Sequence, residues 1–434
     1  MVSTWVGVRM WNLRMTRAAP HLPGKVPARC TSTRRTLRTT CSPTTDGTSN
    51  KKKKVIVISG PTGAGKSKLA LELAKRLNGE IISADSVQVY RGLDVGSAKP
   101  SPSQRKEVPH HLIDILHPSE EYSAGQFFED ARQATKDIFD HGRVPIVTGG
   151  TGLYLRWYIY GKPEVPKASA EIGSEVASEL MLLQENGNWD EAVLLVEKAG
   201  DPQAKFVARN DWYRLRRSLE IIKATGSPPS AFHVPYDSFR DQLNSSASLP
   251  CHGDKPPNHN EENLTKDLDY DFICFFLSSQ RTELYRRIDL RCEEMLTETE
   301  GLLSEAMWLL NLGLFPNMNS ATRAIGYRQA MEYLLFCKKN GGQSSPRDFL
   351  LFLSDFQKAS RNFAKRQMTW FRNELIYQWI DASQPLEKVL DYIFDAYHDQ
   401  TGRLAVPLSL KMDRDVSSRK EAFDLKSYRT RNRY

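Results

Sequence analysis

The hydrophobic pattern of the chain predicts a strand, a helix and a second strand from residue 55 onward. Val55–Ser59 is a short β-branched run, which is typical of a buried strand in a parallel sheet. In Lys66–Leu77, leucine recurs every four residues at 69, 73 and 77, and this spacing indicates one apolar helix face. Glu80–Ala84 is again short and mostly apolar, so it predicts the second strand.

The same alternation returns further along the chain. Ala124–His141 has an apolar helix face, with Gly142 as its C-cap, and Arg143–Thr148 leads as a strand into a second glycine-rich turn. Such strand–helix–strand alternation predicts an α/β domain with a parallel sheet. A further strand is predicted over Phe272–Leu277, and residues 281–399 are predominantly helical in pattern.

Composition indicates a folded protein without a membrane partner. The chain has 434 residues, of which 40% are hydrophobic, and this excludes a largely disordered chain. The length suggests two or three domains. The apolar runs are too short for a helix that crosses a bilayer, so we expect no membrane contact.

The formal net charge of +8 is concentrated at the start of the chain. Residues 1–54 hold twelve lysines and arginines and one acidic residue, whereas residues 55–434 hold 48 basic and 51 acidic residues. The first 50 residues are rich in Arg, Ser and Thr, which is typical of an organellar transit peptide; a disordered basic tail is the alternative. We therefore expect a location in a plastid or a mitochondrion, with the cytoplasm as the alternative.

Cysteine and histidine positions indicate neither disulfides nor a metal site. The six cysteines are scattered without a CxxC pair, which argues against a disulfide framework or a zinc ribbon and favours a reducing compartment. His110 and His111 are sequence neighbours without other candidate ligands nearby. Cys251, His252 and His259 lie in a low-complexity stretch and lack zinc-ligand spacing. We predict no metal at either place.

A phosphate-binding motif occupies the first glycine-rich turn. Residues 60–67 read GPTGAGKS, which fits GxxxxGK[ST], and they lie between a predicted strand and a predicted helix, as this motif requires. The glycines let backbone N–H groups converge on phosphate oxygens, Lys66 supplies a cation, and the Ser67 hydroxyl can ligate Mg²⁺. The predicted phosphate site comprises Gly60, Pro61, Thr62, Gly63, Ala64, Gly65, Lys66 and Ser67. The motif alone does not identify the molecule that carries the phosphates.

Two more polar residues follow predicted strands. Asp85 comes directly after the second strand, and Thr151 follows the strand that ends near residue 148. Ligands of open parallel sheets bind outside the carboxyl ends of the strands, so we expect both residues to meet the phosphate site in one crevice. Asp85 could instead be a helix N-cap. Beside a phosphate site, catalysis or Mg²⁺ binding is the favoured role.

Three basic clusters point to a polyanionic partner. They are Arg214, Arg216 and Arg217; Arg281, Arg286, Arg287 and Arg291; and Lys358, Arg361, Lys365, Arg366 and Arg372. Any single cluster is more typical of a solvated face, and Arg216 could simply pair with Glu220 one helical turn away. Three clusters, two of them interleaved with aromatic residues, favour a polyanion.

Shifts in composition divide the chain into six parts. We predict a P-loop NTPase-like α/β core with a parallel sheet, a helical insertion domain that binds nucleic acid and a helical C-terminal region. The parts are a basic leader (1–54), the P-loop core (55–161), the helical insertion (162–235), a low-complexity loop (236–268), a returning core strand with the C-terminal helices (269–400) and a basic tail (401–434).

Beyond these features, the sequence resembles the bacterial-type tRNA dimethylallyltransferases, also called tRNA isopentenyltransferases. The segments that carry the resemblance are GPTGAGKS at 60–67, SADSVQVYRGLDVGSAKP at 83–100, PHHLIDI at 109–115, YSAGQF at 122–127, GGTGLY at 149–154, RLRRSLEI at 214–221, RRIDLR at 286–291, RAIGYRQA at 323–330 and AKRQMTWFR at 364–372. They occur in the family's order, which makes the resemblance much more specific than the P-loop alone.

The resemblance implies transfer of a dimethylallyl group from its diphosphate to the exocyclic amine of the adenine just 3′ of a tRNA anticodon. That amine is a poor nucleophile, so a base and a stabilised leaving group would both help. Asp85 is the expected base, and Thr62, Lys66 and Arg291 are the other expected catalytic residues. The P-loop, Arg291 and a Mg²⁺ ion near Ser67 are expected to hold the diphosphate, in a motif that usually indicates ATP.

The resemblance also implies contacts with the tRNA anticodon stem-loop, made by a protein that we expect to be a monomer. The expected contacts are Asp85, Ser86, Val87, Gln88, Thr151, Tyr213, Arg214, Leu215, Arg216, Arg217, Arg323, Ala324, Ile325, Gly326, Tyr327 and Arg328. The target adenine would have to flip out of the loop to reach Asp85. Gly173 stands where the bacterial pattern tends to carry a basic contact, and we expect no zinc finger of the kind found in some eukaryotic members.

Two other functions stay open at this point. A P-loop kinase of small molecules shares the phosphate site but does not account for the segments SADSVQVY and GYRQ. A tRNA-binding protein without catalysis is the second alternative. The presence of Asp85, Lys66, Ser67 and Arg291 argues against it.

Overall fold

A six-stranded parallel sheet lies at the centre of the structure. The computed structural model describes residues 52–237, 239–240, 268–400 and 404–414, together with residues 425 and 428. The strands are β1 (Lys54–Ser59), β2 (Gly79–Ala84), β3 (His110–His111), β4 (Val144–Gly149), β5 (Asp271–Ser278) and β6 (Gln378–Asp381). Their order is β3-β2-β4-β1-β5-β6, and every neighbouring pair is parallel. The predicted α/β fold with a parallel sheet is confirmed.

Helices connect and cover the strands. They are α1 (Lys66–Leu77), α2 (Pro102–Glu107), α3 (Ala124–Asp140), α4 (Gly152–Tyr160), α5 (Ala170–Glu185), α6 (Trp189–Ala199), α7 (Trp212–Thr225), α8 (Arg281–Thr297), α9 (Leu302–Asn311), α10 (Ser320–Arg323), α11 (Tyr327–Lys339), α12 (Pro346–Arg372) and α13 (Leu386–His398). None of the helices in the described ranges is long and apolar enough to cross a membrane. Residues 1–51 of the basic leader, most of the low-complexity loop with the Cys251–His259 group, and most of the basic tail lie outside the described residues.

Strand β1 is buried on both faces, and its alternating side chains divide the core into two layers. Val55 and Val57 belong to the cluster formed with α3, α4, α8 and α12, whereas Ile56 and Ile58 belong to the cluster formed with α1 and α13. Each of the four is fully buried. Period-two alternation explains the division, because successive side chains of a strand point to opposite faces of the sheet.

Helices α5, α6 and α7 have a hydrophobic cluster of their own. Its members include Val176, Leu180, Ala192 and Leu215, all almost completely buried. Trp189 and Trp212 begin α6 and α7 and meet edge to face, with ring centroids 5.0 Å apart. This cluster lies within the segment 162–235 that the sequence assigns to a helical insertion.

Helix α12 is 27 residues long and packs against α8, α11 and α4, and Phe371 near its end meets Phe276 of β5. Its N-terminus has a capping box between Ser345 and Asp348, with Pro346 at the first helical position. Phe352, Phe356, Ala364, Met368 and Phe371 are buried on the inner side. Two polar side chains, Ser360 and Gln367, are buried among them.

We expect Ile56→Ala to lower the free energy of unfolding by about 2–5 kcal/mol, because it removes buried methyl groups and leaves a cavity in the core. Urea unfolding at 25 °C measures the change. Leu194→Ala is the control: this leucine of α6 is 52% exposed, so its truncation is expected to change stability by no more than about 0.5 kcal/mol. Equal effects of the two changes would contradict the assignment of Ile56 to the core.

Candidate active site

The P-loop (residues 60–67) joins β1 to α1, as the sequence predicted. Gly63 and Gly65 have φ angles of 80° and 89°, in the left-handed region that strongly favours glycine. Gly65 is also the N-cap of α1, so the helix begins directly at the loop. The backbone N–H groups at a helix N-terminus and the helix dipole together favour bound anions.

Two helices from the C-terminal part of the chain make side-chain hydrogen bonds to the P-loop. The Arg291 guanidinium of α8 donates to the Thr62 hydroxyl at 3.3 Å, and the Gln367 side chain of α12 accepts from the Thr62 backbone N–H at 2.9 Å. The Lys66 ammonium donates to the Pro61 carbonyl at 2.9 Å, across the mouth of the loop. The structure thus brings Thr62, Lys66 and Arg291, three of the four residues that were expected to be catalytic, together at the P-loop.

Lys66, Asp85 and Arg291 form what we call the charge cluster. Desolvation, then repulsion by Arg291, lower the pKa of Lys66 to about 8, and attraction by Asp85 offsets part of this shift. Desolvation also lowers the pKa of Arg291, and Asp85 again acts in the opposite direction. Two cations and one carboxylate are therefore within electrostatic reach of one another at the P-loop. The excess of positive charge suits a polyphosphate ligand.

Asp85 follows β2 and begins a turn, not a helix. One carboxylate oxygen, Oδ1, accepts from the backbone N–H groups of Val87 at 2.9 Å and Gln88 at 3.4 Å. Asp85 therefore shares the hydrogen-bonding pattern of the N-cap alternative, although no helix follows it. The other oxygen, Oδ2, makes no hydrogen bond to the part of the chain that the structure describes, so it is available to a substrate.

Thr151 lies beside Asp85 because β2 and β4 are neighbours in the sheet. Its N–H donates to the Ala84 carbonyl, and its hydroxyl accepts from the Ser86 N–H, both at 3.3 Å. Gly149 permits this approach, since a Cβ atom there would lie 2.1 Å from the Ala84 carbonyl oxygen. The loops after β2 and β4 are thus held together at the site.

Gln88 is largely engaged within the protein. Its amide accepts from the Ser83 hydroxyl at 2.8 Å and donates to the carbonyls of Ser97 and Ala98 at 3.2 and 3.3 Å. In the same segment, Ser86 and Val87 are partly exposed. The side chain of Gln88 therefore supports the loop that bears Asp85.

Helix α7 presents most of its predicted contact residues to solvent. Tyr213 is 59% exposed, and Arg214 and Arg216 are exposed. Leu215 is fully buried in the cluster of the helical insertion, as helical periodicity requires. Burial raises the pKa of the Tyr154 phenol, and Asp85 and Tyr213 are both among the groups that raise it further, so both lie within electrostatic range of Tyr154.

The segment 323–328 mixes exposed and structural residues. Arg323 is exposed, and Ile325 and Arg328 are partly exposed, whereas Ala324 and Gly326 are buried. Tyr327 is also fully buried, and its hydroxyl donates to the Glu305 carboxylate at 2.7 Å. The same carboxylate accepts from the backbone N–H groups of residues 94, 95 and 96. It therefore links the segment 83–100 to the segment 323–330.

The other basic clusters have partners within the chain. Arg286 and Arg287 both pair with Glu283, while Arg291 of the same helix reaches the P-loop. Arg361 of α12 forms an ion pair with the buried Asp289. Lys358, Lys365 and Arg366 of α12 are exposed. These clusters are therefore partly structural.

Sequence reasoning assigned no role to Gln367 and Glu305. Both are polar residues at buried positions of otherwise apolar helix faces: Gln367 lies among Ala364, Met368 and Phe371, and Glu305 lies beside Ala306. A polar residue on the apolar face of an amphipathic helix is the signal that could have identified them. No group of three or more metal-binding side chains occurs among the residues that the structure describes, and His111 instead contacts Glu80.

The chain is similar to known prenyltransferases over most of its length. A family model described as IPP transferase matches residues 88–374, and one described as isopentenyl transferase matches residues 53–114. A curated relative from Arabidopsis thaliana, tRNA dimethylallyltransferase 9, is 63% identical over 410 residues, which cover 91% of this chain and 86% of the relative.

Two solved structures share the fold. The crystal structure of a tRNA isopentenylpyrophosphate transferase from Staphylococcus epidermidis is 30% identical, with a TM-score of 0.52, and the match covers 80% of this chain and 99% of that one. A eukaryotic dimethylallyltransferase, described in crystallographic snapshots as acting on tRNA, is 26% identical, with a TM-score of 0.59 and coverage of 83% and 82%.

We expect the affinity for inorganic diphosphate to fall as the pH rises above about 8. The Lys66 ammonium attracts the anion only while it is protonated, and its pKa of about 8 in the free protein means that it loses its charge there. The Kd should therefore rise toward about tenfold per pH unit above that point. Isothermal titration calorimetry between pH 7 and pH 9.5 measures it.

Lys66→Arg is the matched variant for this experiment, because arginine stays charged over the same range. The inorganic diphosphate itself titrates in the same way in both experiments, so its contribution cancels in the comparison. The ratio of the two Kd values should change near pH 8. A constant ratio from pH 7 to pH 9.5 would show that Lys66 does not titrate there.

Proposed function

The chain belongs to the tRNA dimethylallyltransferase family, and from this premise we propose that it transfers a dimethylallyl group from dimethylallyl diphosphate to tRNA. The acceptor is the exocyclic amine of the adenine on the 3′ side of the anticodon. The observation that carries the proposal is the charge cluster, in which a carboxylate after β2 lies within electrostatic reach of a P-loop lysine and an arginine from α8.

The P-loop side of the site binds and stabilises the diphosphate. Its backbone N–H groups and the N-terminus of α1 receive the phosphate oxygens, and Lys66 and Arg291 neutralise their charge. The Thr62 hydroxyl is held toward this position by its contact with Arg291. Because the diphosphate gains charge as it leaves, these groups bind the transition state more strongly than the substrate.

Asp85 acts on the other reactant. The adenine amine attacks C1 of the dimethylallyl group, the bond from C1 to the diphosphate oxygen breaks, and Asp85 takes a proton from the amine. The bonding electrons of the broken bond leave with the diphosphate. The free Oδ2 atom is suited to this role, since Oδ1 is committed to the backbone of residues 87 and 88.

The tRNA approaches from the side of α7. Tyr213 shares electrostatic range of Tyr154 with Asp85, and the exposed Arg214 and Arg216 that follow it offer cations to the anticodon loop. Arg323 and Arg328 offer further cations from another part of the fold. The target adenine must be flipped out of the loop, because its amine cannot otherwise reach the carboxylate.

A magnesium ion fits the donor set at the P-loop. The Ser67 hydroxyl is exposed at the first turn of α1, directly after the P-loop lysine. Mg²⁺ prefers oxygen ligands and usually binds through few protein groups, with water and substrate phosphates completing its shell. When bound, the ion would add positive charge next to the leaving diphosphate.

The two alternative functions are not favoured. The matches to transferases of this family extend over most of the chain, and a small-molecule kinase would leave the motifs outside the P-loop without a role. A non-catalytic tRNA-binding protein would not need Asp85 beside two partly buried cations. The basic composition of the leader supports the further proposal that the protein acts in a plastid or a mitochondrion.

Asp85→Asn is expected to lower the rate of prenyl transfer by at least about 10²-fold, since the amide oxygen can still accept from residues 87 and 88 but the base is lost. The tRNA affinity should stay within a few-fold. Incorporation of labelled dimethylallyl groups into a tRNA transcript and a filter-binding assay measure the two quantities. Wild-type protein supplied with labelled ATP is the control for a kinase, and phosphoryl transfer without prenylation would overturn the proposed function. Full activity of Asp85→Asn would exclude Asp85 as the base.

Replacement of Arg216 and Arg217 by alanine is expected to weaken tRNA binding and to reduce its salt dependence. Each lost phosphate contact should lower the slope of log Kd against log salt by about 0.7–0.9. Both arginines pair with Glu220, so Glu220→Gln is expected to have the opposite effect on affinity. Alanine at Lys338 and Lys339, two adjacent exposed lysines at the end of α11, is the matched control. Equal effects of the two double variants would exclude α7 as a specific tRNA contact.

A further inference from the structure

The side chain of Gln367 connects two loops of the active site. It projects from the inner side of α12, is 6% exposed, and lies among the buried residues Ala364, Met368 and Phe371. Its Oε1 atom accepts from the Thr62 N–H at 2.9 Å, and its Nε2 atom donates to the Gly150 carbonyl at 3.0 Å. One amide therefore joins the P-loop to the loop after β4.

The loop after β4 is shaped to receive this amide. A Cβ atom at Gly150 would lie 2.2 Å from Nε2 of Gln367, a distance that real Cβ atoms do not show. The absence of a side chain at residue 150 is thus required for the contact. The two hydrogen bonds and the steric fit are separate observations that agree on the same arrangement.

The two joined loops carry groups that act on different reactants of the proposed reaction. In the P-loop, which binds the diphosphate, the Thr62 hydroxyl accepts a hydrogen bond from Arg291. Gly150 precedes Thr151, whose N–H and hydroxyl hold Ala84 and Ser86 on either side of Asp85. A change in the position of Gln367 would therefore change the distance between the leaving group and the base.

We propose that Gln367 is a positioning residue that sets the separation between the bound diphosphate and Asp85, a role that rests on the proposed function. It does not touch the reacting atoms. Its effect is on the rate of transfer, because a misplacement of about 1 Å at a reacting centre can reduce a rate by about 10²-fold.

Glutamine suits this role because its neutral amide offers a donor and an acceptor at once. A glutamate carboxylate could still accept from the Thr62 N–H, but its second oxygen would face the Gly150 carbonyl oxygen without a proton between them. A protonated glutamic acid restores the donor, and burial favours that protonated form. Methionine has a similar length and can make neither hydrogen bond in the same way.

The experiment compares Gln367→Glu and Gln367→Met with wild-type protein in the dimethylallyl incorporation assay from pH 5.5 to pH 8.5. We expect kcat of Gln367→Glu to be about 10–100-fold below wild type at pH 8 and to recover toward wild type as the pH falls. We expect Gln367→Met to keep the same deficit at every pH. The KM for tRNA should stay within a few-fold for both.

Gln357→Glu is the matched control, since it makes the same change on the same helix. Gln357 contacts Asp289 and Glu293 of α8 and neither active-site loop, so its kcat is expected to follow wild type at every pH. Equal, pH-independent deficits of Gln367→Glu and Gln367→Met would indicate a purely structural role and overturn the proposal. Wild-type rates in both variants would overturn it as well.

A second variant tests the contact from the other side. Gly150→Ala should displace the amide, so we expect a similar loss in kcat even if the variants at residue 367 fold poorly. Gly125→Ala is its control, because a Cβ atom there meets only the Ser123 hydroxyl at 3.8 Å. An active Gly150→Ala variant would refute the positioning role. Failure of wild-type protein itself to prenylate tRNA would refute the proposed function instead.

Discussion

The structure of the site depends on the balance of charge among Lys66, Asp85 and Arg291. Both cations lose part of their hydration, which lowers their pKa values, and Asp85 is the charge that attracts both. The cluster carries a net positive charge before substrate binds, and a diphosphate would neutralise it. In the proposed function, the same electrostatic field favours the bound diphosphate and attracts the carboxylate that serves as the base.

The order of the strands places these groups together. β1, β4 and β2 are neighbours in the sheet, and the P-loop, Thr151 and Asp85 follow their carboxyl ends. Gly149 and Gly150 allow the loops to approach more closely than residues with side chains would permit. The site therefore lies at the carboxyl ends of these three strands. Arg291 of α8 and Gln367 of α12 complete it from the C-terminal part of the chain.

The cations that we propose as tRNA contacts occur in local groups and also have acidic partners within the chain. Arg216 and Arg217 share Glu220, Arg323 is 3.8 Å from Glu121, and Arg361 pairs with Asp289. Exposed pairs of this kind contribute little to stability, so a phosphate can compete for the arginine at small cost. Arg361 differs, because its partner is buried and the pair joins α12 to α8.

The sequence by itself determined the strands, the main helices, the P-loop and the residues that follow the strands, because spacing and periodicity are local properties of the chain. The family resemblance added the functions of the motifs, and the comparisons confirmed the family. Tertiary structure decided which residues of each motif face the site. Leu215 and Tyr327 are buried although they lie in motifs expected to contact tRNA. Gln367 meets Thr62 across 305 residues of sequence, and only the packing of α12 against α8, α11 and α4 brings the two together.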